Sequence, residues 1–525
     1  MAVKLNNKKN SKSIEETLWD SANKLRGSVE PAEYKHVVLG LIFLKFASDK
    51  FEEHRQTLIA KGQEKYIEMP EFYNQSNVFF LDEASRWSYI IQNAKQNDIA
   101  LKIDTALHNI EKSNKALKGA LPDNYFSRLA LDITKLASLL DTINNIDTIK
   151  DKEQDIVGRV YEYFLSKFAL LEGSGKGKGE FYTPKSIVNL IAEMIEPYKG
   201  VIYDPACGSG GMFVQSIKFI ESHHGNKKEV SIYGQESVPT TYKLAKMNLA
   251  IRGISANLGE KAADTFADDQ HKDLKADFIM ANPPFNLKDW RGENELITDP
   301  RWRGYEVPPK SNANYAWILN MVSKLGENGI AGFILANGAL GGGGEEYKIR
   351  RQLIENNLVE AIVILPRDMF YTTDISVTLW ILNKNKKERT LVIDDNVRHL
   401  RNREREVLFV DLRRWGSEYE KMYVQLTSED IGKIVKNFHN WQEVNFENTY
   451  ENIPEYCYSA NFDEMHKNEF SLIPSKYIKF IDRDSGIDFD SEMRRIKDDF
   501  KTLLKSEKES QEEIVKAFKV LGYEL

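Results

Sequence analysis

Cysteine is scarce in this sequence of 525 residues, which contains only Cys207 and Cys457. The two lie far apart and outside any Cys-x-x-Cys or Cys/His spacing, which excludes a disulfide scaffold and argues against a zinc site. Long apolar runs are also missing, since no stretch approaches the roughly 18 to 20 residues that span a bilayer. The N-terminus MAVKLNNKKNSKS lacks the apolar segment of a signal peptide. We therefore expect a cytoplasmic protein without a metal site or a membrane partner.

A surplus of positive charge is absent as well. The sequence contains 72 Lys and Arg residues and 79 Asp and Glu residues, which gives a formal net charge of -7. If the protein acts on nucleic acid, a local groove or a basic partner must supply the attraction to phosphate. With 15 prolines, 31 glycines and 42% hydrophobic residues, the composition is that of a globular protein and excludes collagen-like and disordered chains. At about 150 residues per domain, two to four domains are expected.

The first third of the chain is predicted to be helical. Ser13 and Glu16 form a capping box, Pro31 suits the first turn of a second, buried helix, and residues 84–170 keep apolar residues three and four apart. A glycine-rich stretch, GSGKGKG, follows at 173–179. It is typical of a linker and also of a loop that orders over a ligand. We assign residues 1–168 to a helical N-terminal domain.

The middle of the chain has the pattern of an α/β domain. Six short apolar runs are bounded by turn residues and alternate with helical stretches: VIYDPACG, EVSIYGQE, ADFIMANPP, IAGFILANG, VEAIVILP and VTLWILNK. This alternation predicts a largely parallel sheet. We assign residues 169–425 to a catalytic domain and 426–525 to a helical C-terminal region.

The C-terminal region ends in a charged helix with a narrow apolar stripe. The stripe contains Met493, Ile496, Phe500, Leu503, Ile514, Phe518 and Leu521. Such a stripe packs either on its own domain or on the helices of a partner.

The run VIYDPACGSGG, residues 201–211, has the pattern of a strand followed by a ligand-binding turn. Gly208, Gly210 and Gly211 carry no Cβ, so the backbone can approach a ligand closely, although a tight strand-to-helix connection has the same pattern. The turn differs from the dinucleotide and P-loop motifs. Glu236, at the end of the next strand, can accept both hydroxyls of a ribose. Asp264 is a candidate for binding the exocyclic amine of an adenine, with Phe266 to flank the ring.

The motif Asn282-Pro283-Pro284-Phe285 directly follows the predicted strand ADFIMA. The prolines remove backbone donors, which leaves the Asn282 side-chain oxygen and the Pro283 carbonyl as two acceptors. Two acceptors suit an NH2 group. By accepting both protons of adenine N6 they localise the nitrogen lone pair, which can then attack a methyl sulfonium held in line. Phe285 would stack on the base, which must leave the duplex to reach the motif.

Together these motifs resemble the class I S-adenosylmethionine-dependent amino-methyltransferases, and specifically the modification subunit of type I restriction-modification systems. The resemblance covers nearly the whole chain. It rests on LWDSANKLRGSVEPAEYKHVVLGLIFLKFASDKF, GEFYTPKSIVNLIAEMI, DPACGSGGMFV, NPPFN and FSLIPSKYI. It implies an adenine N6 DNA methyltransferase with a Rossmann-like, mostly parallel sheet, preceded by an all-helical N-terminal domain and followed by a helical C-terminal tail.

By position, the resemblance also implies a set of site residues and S-adenosylmethionine as the cofactor. The implied cofactor-binding residues are Glu180, Phe181, Tyr182, Thr183 and Pro184 at the methionine end, Lys185 beside them, Asp204, Gly208, Ser209, Gly210 and Gly211 in the main loop, Glu236 at the ribose and Asp264 at the adenine. The implied catalytic residues are Asn282, Pro283, Pro284 and Phe285. One departure from the family is the tetraglycine at 341–344, which suggests a mobile loop, and the roles of Phe370 and Tyr371 near the flipped base are left open.

No long, basic, aromatic-rich insert for reading DNA sequence is evident after NPPF. The resemblance implies that a separate specificity subunit reads double-stranded DNA, with two of these chains around one specificity subunit and a restriction subunit in the full complex. The basic stretch at 397–406, with Lys384, Lys386 and Lys387 before it, is either a phosphate contact or, because Glu404 and Glu406 interrupt it, a solvated surface. We favour the solvated surface.

Two other functions are compatible with the motifs. A related enzyme could methylate another NH2 group, such as the amide of a protein glutamine, although such enzymes are shorter and more often carry NPPY. The chain could also be a structural clamp that binds cofactor or partner without catalysis. The helical N-terminal and C-terminal regions argue against the first alternative, and the intact Asn282, Glu236 and glycine turn argue against the second.

Overall fold

The computed structural model describes residues 14–23, 31–76, 78–129, 131–146, 163–164, 167, 183–370, 376–393, 396–419, 423–481 and 488–520. Within these ranges, no helix is long and apolar enough to cross a membrane. The same ranges contain no group of three or more His, Cys, Asp or Glu residues arranged to hold a metal ion. The glycine-rich stretch at 173–179 lies outside the described residues.

The N-terminal part of the chain folds as a bundle of helices. Its helices are α1 (Ile14–Asn23), α2 (Pro31–Ala60), α3 (Pro70–Asn74), α4 (Trp87–Gln92), α5 (Ile99–Ser113), α6 (Tyr125–Arg128) and α7 (Ile133–Asn144). The helix α2 has apolar residues at nearly every turn and is buried along most of its described length, with Val37, Leu44 and Phe51 fully enclosed. We call residues 14–146 the helical region. The predicted helical start of the chain and the buried second helix are confirmed.

The rest of the chain is built on one twisted sheet. Its strands are β1 (Gly200–Asp204), β2 (Val230–Gly234), β3 (Ala256–Asn257), β4 (Ala276–Ala281), β5 (Leu325–Ala336), β6 (Val359–Ile364), β7 (Val377–Asn383), β10 (Glu406–Asp411) and β13 (Cys457–Asn461). Their order is β13-β10-β6-β7-β5-β4-β1-β2-β3. The pairs are parallel except those that β7 makes with β5 and β6 and that β13 makes with β10. The six predicted strands and the mostly parallel sheet are confirmed.

Helices cover both faces of the sheet, which is why every residue of β6 and β7 is buried. One face carries α8 (Lys185–Ile195), α9 (Gly211–Ser222), α10 (Pro239–Ile251) and α13 (Ser428–Gln442), and the other carries α11 (Asn314–Lys324) and α12 (Gly344–Glu355). Successive residues of a strand alternate between the two cores, as Ile202 and Tyr203 of β1 do.

The basic stretch that follows the sixth predicted strand is only partly a solvated surface: Lys384, Lys387 and Arg405 are exposed, but three other cations are buried. Lys386, Arg401 and Arg403 are 3%, 8% and 0% exposed. The Arg403 guanidinium donates to Glu360 of β6 at 2.7 Å, and both side chains are fully buried. Lys386 donates to the Val359 carbonyl at 2.7 Å, and burial lowers its pKa to about 8. The prediction of a solvated surface is wrong for Lys386, Arg401 and Arg403, because the sequence does not reveal that a strand beside this stretch carries a buried acid.

The strand β10 directly follows this stretch, and β13 pairs with it. Neither strand was predicted, and β13 lies beyond residue 425. Four further strands form two separate antiparallel pairs: β8 (Arg389–Ile393) with β9 (Asn396–Leu400), and β11 (Ser417–Tyr419) with β12 (Tyr423–Gln425). Two short helices, α14 (Phe446–Thr449) and α15 (Phe462–Lys467), flank β13.

The last described element is α16 (Phe489–Val520), a helix of 32 residues. Its apolar stripe is exposed: Phe500 is 59% and Leu503 67% accessible. Packing of the stripe on its own domain, one of the two alternatives above, is therefore wrong for the described residues. Leu521 lies outside them.

Candidate active site

Three predicted site residues lie at the carboxyl ends of neighbouring strands of the sheet. Asp204 ends β1, Glu236 follows β2 by two residues, and Asn282 directly follows β4. The strands β2, β1 and β4 are parallel neighbours. Their carboxyl ends therefore open on the same side, where ligands bind in sheets of this kind.

The glycine turn after β1 has the conformation that its glycines predict. Gly208 and Gly210 have φ angles of 54° and 80°, in the left-handed region that side chains disfavour. The helix α9 begins directly after them at Gly211, and a Cβ added at Gly208 or at Gly211 would meet no atom of the described residues within 4 Å. The turn therefore presents bare backbone and a helix N-terminus to this edge of the sheet.

Glu236 holds the glycine turn to the end of β2. One carboxylate oxygen accepts the Gly208 N–H at 3.0 Å, and the other accepts the Val238 N–H at 2.7 Å. The oxygen that accepts from Val238 also accepts from the Ser237 hydroxyl at 3.5 Å. The residue predicted to hold a ribose thus also organises the turn.

Asp204 is 1% exposed, and its Oδ1 accepts the Ala206 N–H at 2.9 Å. Burial raises the pKa of this carboxyl to about 8, with a smaller contribution in the same direction from the negative charge of Glu236. A positively charged ligand at this edge would favour the ionised form of Asp204.

The loop that carries Asp264 is fastened to the end of β2 by Gln235. The fully buried Gln235 amide donates to the carbonyls of Ala263 and Asp268 at 3.1 and 2.8 Å. The Oδ1 of Asp264 accepts the backbone N–H groups of the two residues Phe266 and Ala267 at 2.9 Å each, and the other oxygen takes part in neither bond. Gln235 was missed, although a polar residue at a strand end beside Glu236 is the signal that would have found it.

The ring of Phe266 does not flank a ligand. It is 2% exposed and packs between Trp290 and Trp317, with ring centroids 4.7 and 4.3 Å away. The prediction for Phe266 is therefore wrong, because two tryptophans distant in sequence pack against this ring.

The Asn282 side chain is held in one orientation by Thr183. Its Nδ2 donates to the Thr183 Oγ1 at 2.9 Å. Its Oδ1 is buried and has no hydrogen-bond partner among the described residues. A buried acceptor without a partner is rare in folded proteins and calls for a ligand donor. The two prolines beside it are packed, with Pro283 buried and Pro284 half-buried.

Phe285 is half-buried and meets the edge of Phe370, with ring centroids 5.9 Å apart. Phe370 is 2% exposed and belongs to the core, so its ring supports Phe285. Tyr371 lies outside the described residues.

The motif that precedes the glycine turn is described only from Thr183 onward. Pro184 is buried and precedes α8, whose first residue, Lys185, is exposed. Glu180, Phe181 and Tyr182 lie outside the described residues.

Three of the four consecutive glycines at 341–344 have identifiable structural roles. A Cβ on Gly341 would lie 2.9 Å from the Cδ1 of Ile473. Gly344 begins α12 with a φ of 60°. The buried Arg350 also donates to the Gly342 carbonyl at 2.8 Å. Close approach to the segment around residue 473 thus accounts for part of this glycine run.

Comparison with known proteins matches both parts of the chain. The sequence profile of the N-6 DNA Methylase family matches residues 152–485, and that of the HsdM N-terminal domain matches residues 14–143. The HindI methylase subunit of the type I restriction enzyme of Haemophilus influenzae is 42% identical over 82% of this chain and 94% of its own length. The MjaIX methylase subunit of Methanocaldococcus jannaschii is 36% identical over 97% of this chain and 92% of its own.

The fold is shared with a solved structure. The type I restriction-modification methyltransferase subunit from Streptococcus thermophilus superposes with a TM-score of 0.72 at 22% identity, covering 89% of this chain and 99% of that one. The comparisons confirm the predicted fold and the predicted adenine N6 methyltransferase activity on DNA, and they disfavour a methyltransferase of protein glutamine. The chain belongs to the N-6 DNA methylase family, among the methylase subunits of type I restriction enzymes.

Proposed function

We propose that this chain transfers the methyl group of S-adenosylmethionine to adenine N6 of DNA, with Asn282 as the residue that activates the amine. The observation that carries the proposal is the Asn282 amide itself. Its nitrogen donates to Thr183, so its oxygen is the atom left to accept a proton from a ligand. An adenine NH2 is such a donor, and the Pro283 carbonyl, which follows in the same rigid turn, accepts the second proton.

These two acceptors act on the nitrogen lone pair. In adenine the pair is delocalised into the ring, which makes N6 a weak nucleophile. Two hydrogen bonds in the directions of a tetrahedral nitrogen favour the localised pair, and they strengthen as positive charge develops on N6 during the transfer. The amine proton becomes acidic only after the transfer, so no strong general base is required. Phe285, supported by Phe370, stacks on the extruded base.

The glycine turn and the strand ends beside it fit S-adenosylmethionine. When bound, this cofactor supplies an electrophilic methyl group on a sulfonium. Asp204, Gly208, Ser209, Gly210 and Gly211 would line its main binding surface, with Glu236 at the ribose and Asp264 at the adenine. Thr183, Pro184 and Lys185, with Glu180, Phe181 and Tyr182, would lie toward the methionine end. The buried Asp204 carboxyl and the bare backbone of the turn support this assignment.

Sequence recognition is assigned to a separate specificity subunit, with two copies of this chain per specificity subunit and a restriction subunit in the full complex. The exposed stripe of α16 supports an assembly role for the C-terminal region. The net charge of -7 supports a chain that binds double-stranded DNA poorly by itself. We place the protein in the cytoplasm, where its DNA substrate lies. The division at residues 168 and 425 is proposed with one amendment, that β13 completes the catalytic sheet.

Radiolabelled methyl transfer to plasmid DNA tests the proposal. The chain is assayed alone and with the specificity subunit encoded beside it, and the methylated base is then identified. We expect N6-methyladenine only when the partner is present. Asn282→Ala should abolish transfer and leave the affinity for S-adenosylmethionine within about twofold. Transfer by the chain alone would contradict delegated recognition, and loss of cofactor binding in the variant would contradict the role given to Asn282.

A further inference from the structure

The helix α10 carries two apolar stripes that face different parts of the protein. Each stripe has the spacing i, i+3, i+7, which places its members on one face of a helix. The first stripe contains Leu244, Met247 and Ile251, which pack in the core of the helical region, and the second contains Tyr242, Ala245 and Leu249, which pack in the core beneath the glycine turn. The helix α10 thus contributes side chains to two cores, that of the helical region and that beneath the glycine turn.

Two lysines of α10 fasten this helix to the helical region. Lys243 donates to the Leu121 carbonyl at 3.3 Å, and Lys246 donates to the Lys118 carbonyl at 3.0 Å. The other side of the same turn is held by Glu111 of α5, whose carboxylate accepts the Leu121 N–H at 3.0 Å. The contact between α10 and the helical region is therefore both apolar and hydrogen-bonded.

The opposite side of α10 holds the glycine turn through Asn248, which is 2% exposed. Its Nδ2 donates to the Ser209 carbonyl at 2.7 Å, and its Oδ1 accepts from the Arg252 guanidinium one turn along the helix. The next residue, Leu249, would lie 3.4 Å from a Cβ at Gly210. The two central residues of the turn, Ser209 and Gly210, are thus both in contact with this helix.

We propose that α10 couples the docking of the helical region to cofactor affinity, and that Asn248 is the positioning residue through which it acts. A glycine turn has many conformations when unsupported, and ordering it costs conformational entropy. The hydrogen bond from a helix that is packed on both sides restrains Ser209 before the cofactor arrives, which reduces that cost on binding. Release of α10 by the helical region should therefore weaken binding at the turn. The inference rests on the proposed function, because it concerns the affinity of the same site for S-adenosylmethionine.

The substitution Asn248→Asp tests the role of Asn248 in the full-length chain. It keeps the side-chain volume and an acceptor for Arg252, replaces the donor that faces the Ser209 carbonyl with an acceptor, and adds a negative charge beside the Arg252 guanidinium. Loss of one such hydrogen bond corresponds to a decrease in affinity for S-adenosylmethionine of about three- to tenfold, measured by calorimetric titration. The control is Asn440→Asp on α13, which also removes an amide donor, there bonded to the Thr449 carbonyl at 2.9 Å, and which belongs neither to α10 nor to the turn. The control should bind cofactor as the unmodified chain does.

A double-mutant cycle tests the coupling. The variant Lys243→Ala/Lys246→Ala touches no residue of the turn, yet we expect it to weaken cofactor binding about two- to fivefold. In the Asn248→Asp background the same lysine changes should have a smaller effect, because the hydrogen bond through which α10 restrains Ser209 is already removed. The rate of methyl transfer at saturating cofactor should stay within about twofold in every variant, which separates a loss of affinity from a loss of catalysis.

Three results would overturn the inference. Unchanged affinity in Asn248→Asp would remove the positioning role, and additive effects in the cycle would remove the coupling. In both cases the unmodified chain still binds S-adenosylmethionine, so the proposed function stands. If the unmodified chain binds no S-adenosylmethionine, the proposed function and the inference both fail.

Discussion

The helices α2 and α16 are similar in length and opposite in environment. The first has 30 residues and is buried along most of its described length, whereas the second has 32 residues and exposes its apolar stripe. Both carry apolar residues, but those of α2 surround the helix and those of α16 follow one narrow line. A helix that is apolar all round must be covered by its own chain, and one with a single stripe on a charged surface can be covered by a partner. The first kind of burial stabilises the fold, and the second is available for assembly.

Two side chains of the active site differ in a similar way, since one is satisfied by the chain and the other is not. Both carboxylate oxygens of Glu236 accept hydrogen bonds from the chain, and the buried Asn282 oxygen accepts none among the described residues. The occupied acceptor shapes the turn, and the vacant one is suited to a substrate. The predictions below test the difference between groups that the chain satisfies itself and groups that it leaves for a ligand or partner.

The largest effect on stability is expected in α2. Phe51 is fully buried and stacks on Tyr73 with ring centroids 4.6 Å apart. Phe51→Ala should lower the free energy of unfolding by about 3 to 5 kcal/mol, because it leaves a cavity. Phe500→Ala in α16 should change it by less than about 0.5 kcal/mol, since surface changes have small effects. Urea denaturation of both variants measures the difference, and comparable losses would mean that α16 also packs on its own chain.

Removal of α16 should break assembly and leave the site intact. A chain ending before residue 489 loses the exposed stripe, so its affinity for the specificity subunit should fall by at least about a hundredfold, as expected when several central apolar anchors are removed. Its affinity for S-adenosylmethionine should be unchanged. Size-exclusion chromatography with the specificity subunit, beside the full chain as control, tests this. Normal assembly of the shortened chain would show that another surface binds the partner.

The hydrogen bond from Asn282 to Thr183 should control the rate of the chemical step. Thr183→Val keeps the shape of the side chain and removes the hydroxyl, so the amide loses its fixed orientation. We expect the single-turnover rate to fall about tenfold, in line with one lost hydrogen bond. Thr183→Ser retains the hydroxyl and should react at nearly the normal rate. If Thr183→Val instead weakens cofactor binding at an unchanged rate, Thr183 acts on the cofactor alone.

The smallest effect concerns pH. With a pKa of about 8 in the free protein, Asp204 is largely protonated at pH 7. S-adenosylmethionine carries a net positive charge and favours the carboxylate, so binding should release a proton and the affinity should rise with pH from 6 to about 8, by less than tenfold per unit, and then level off. Calorimetry in buffers of different ionisation enthalpy detects the proton. Asp204→Asn should bind without this pH dependence, and a slope that persists in the variant would assign the proton to another group.

The same pKa shift has the opposite consequence for folding. Between the ordinary carboxyl pKa of 3.8 and about 8 the native chain holds the Asp204 proton and the unfolded chain releases it. The contribution of Asp204 to stability therefore falls as pH rises through this window. Binding of a positively charged ligand beside the Asp204 carboxylate would offset this loss of stability.

Much of the fold was predictable because local patterns encode it. Apolar runs bounded by turn residues located six strands, and Gly208 and Gly210 identified a turn that requires positive φ angles. The motif beginning at Asn282 stands at a strand end, where two prolines fix its geometry whatever surrounds it. Strand β13 was not predicted, because its place in the sheet depends on β10, some 50 residues earlier in the chain.

The sequence by itself therefore determined the helical start of the chain, six strands of the sheet, the two motifs and the residue types that the chemistry requires, because each depends on neighbours along the chain. Only the tertiary structure decided which polar groups are satisfied. It enclosed Arg403 with Glu360, turned the amide of Asn282 toward Thr183 and placed Asn248 against Ser209. Those pairs join residues from 39 to 99 positions apart, and a hydrogen bond between such residues exists only once the core has brought their elements together.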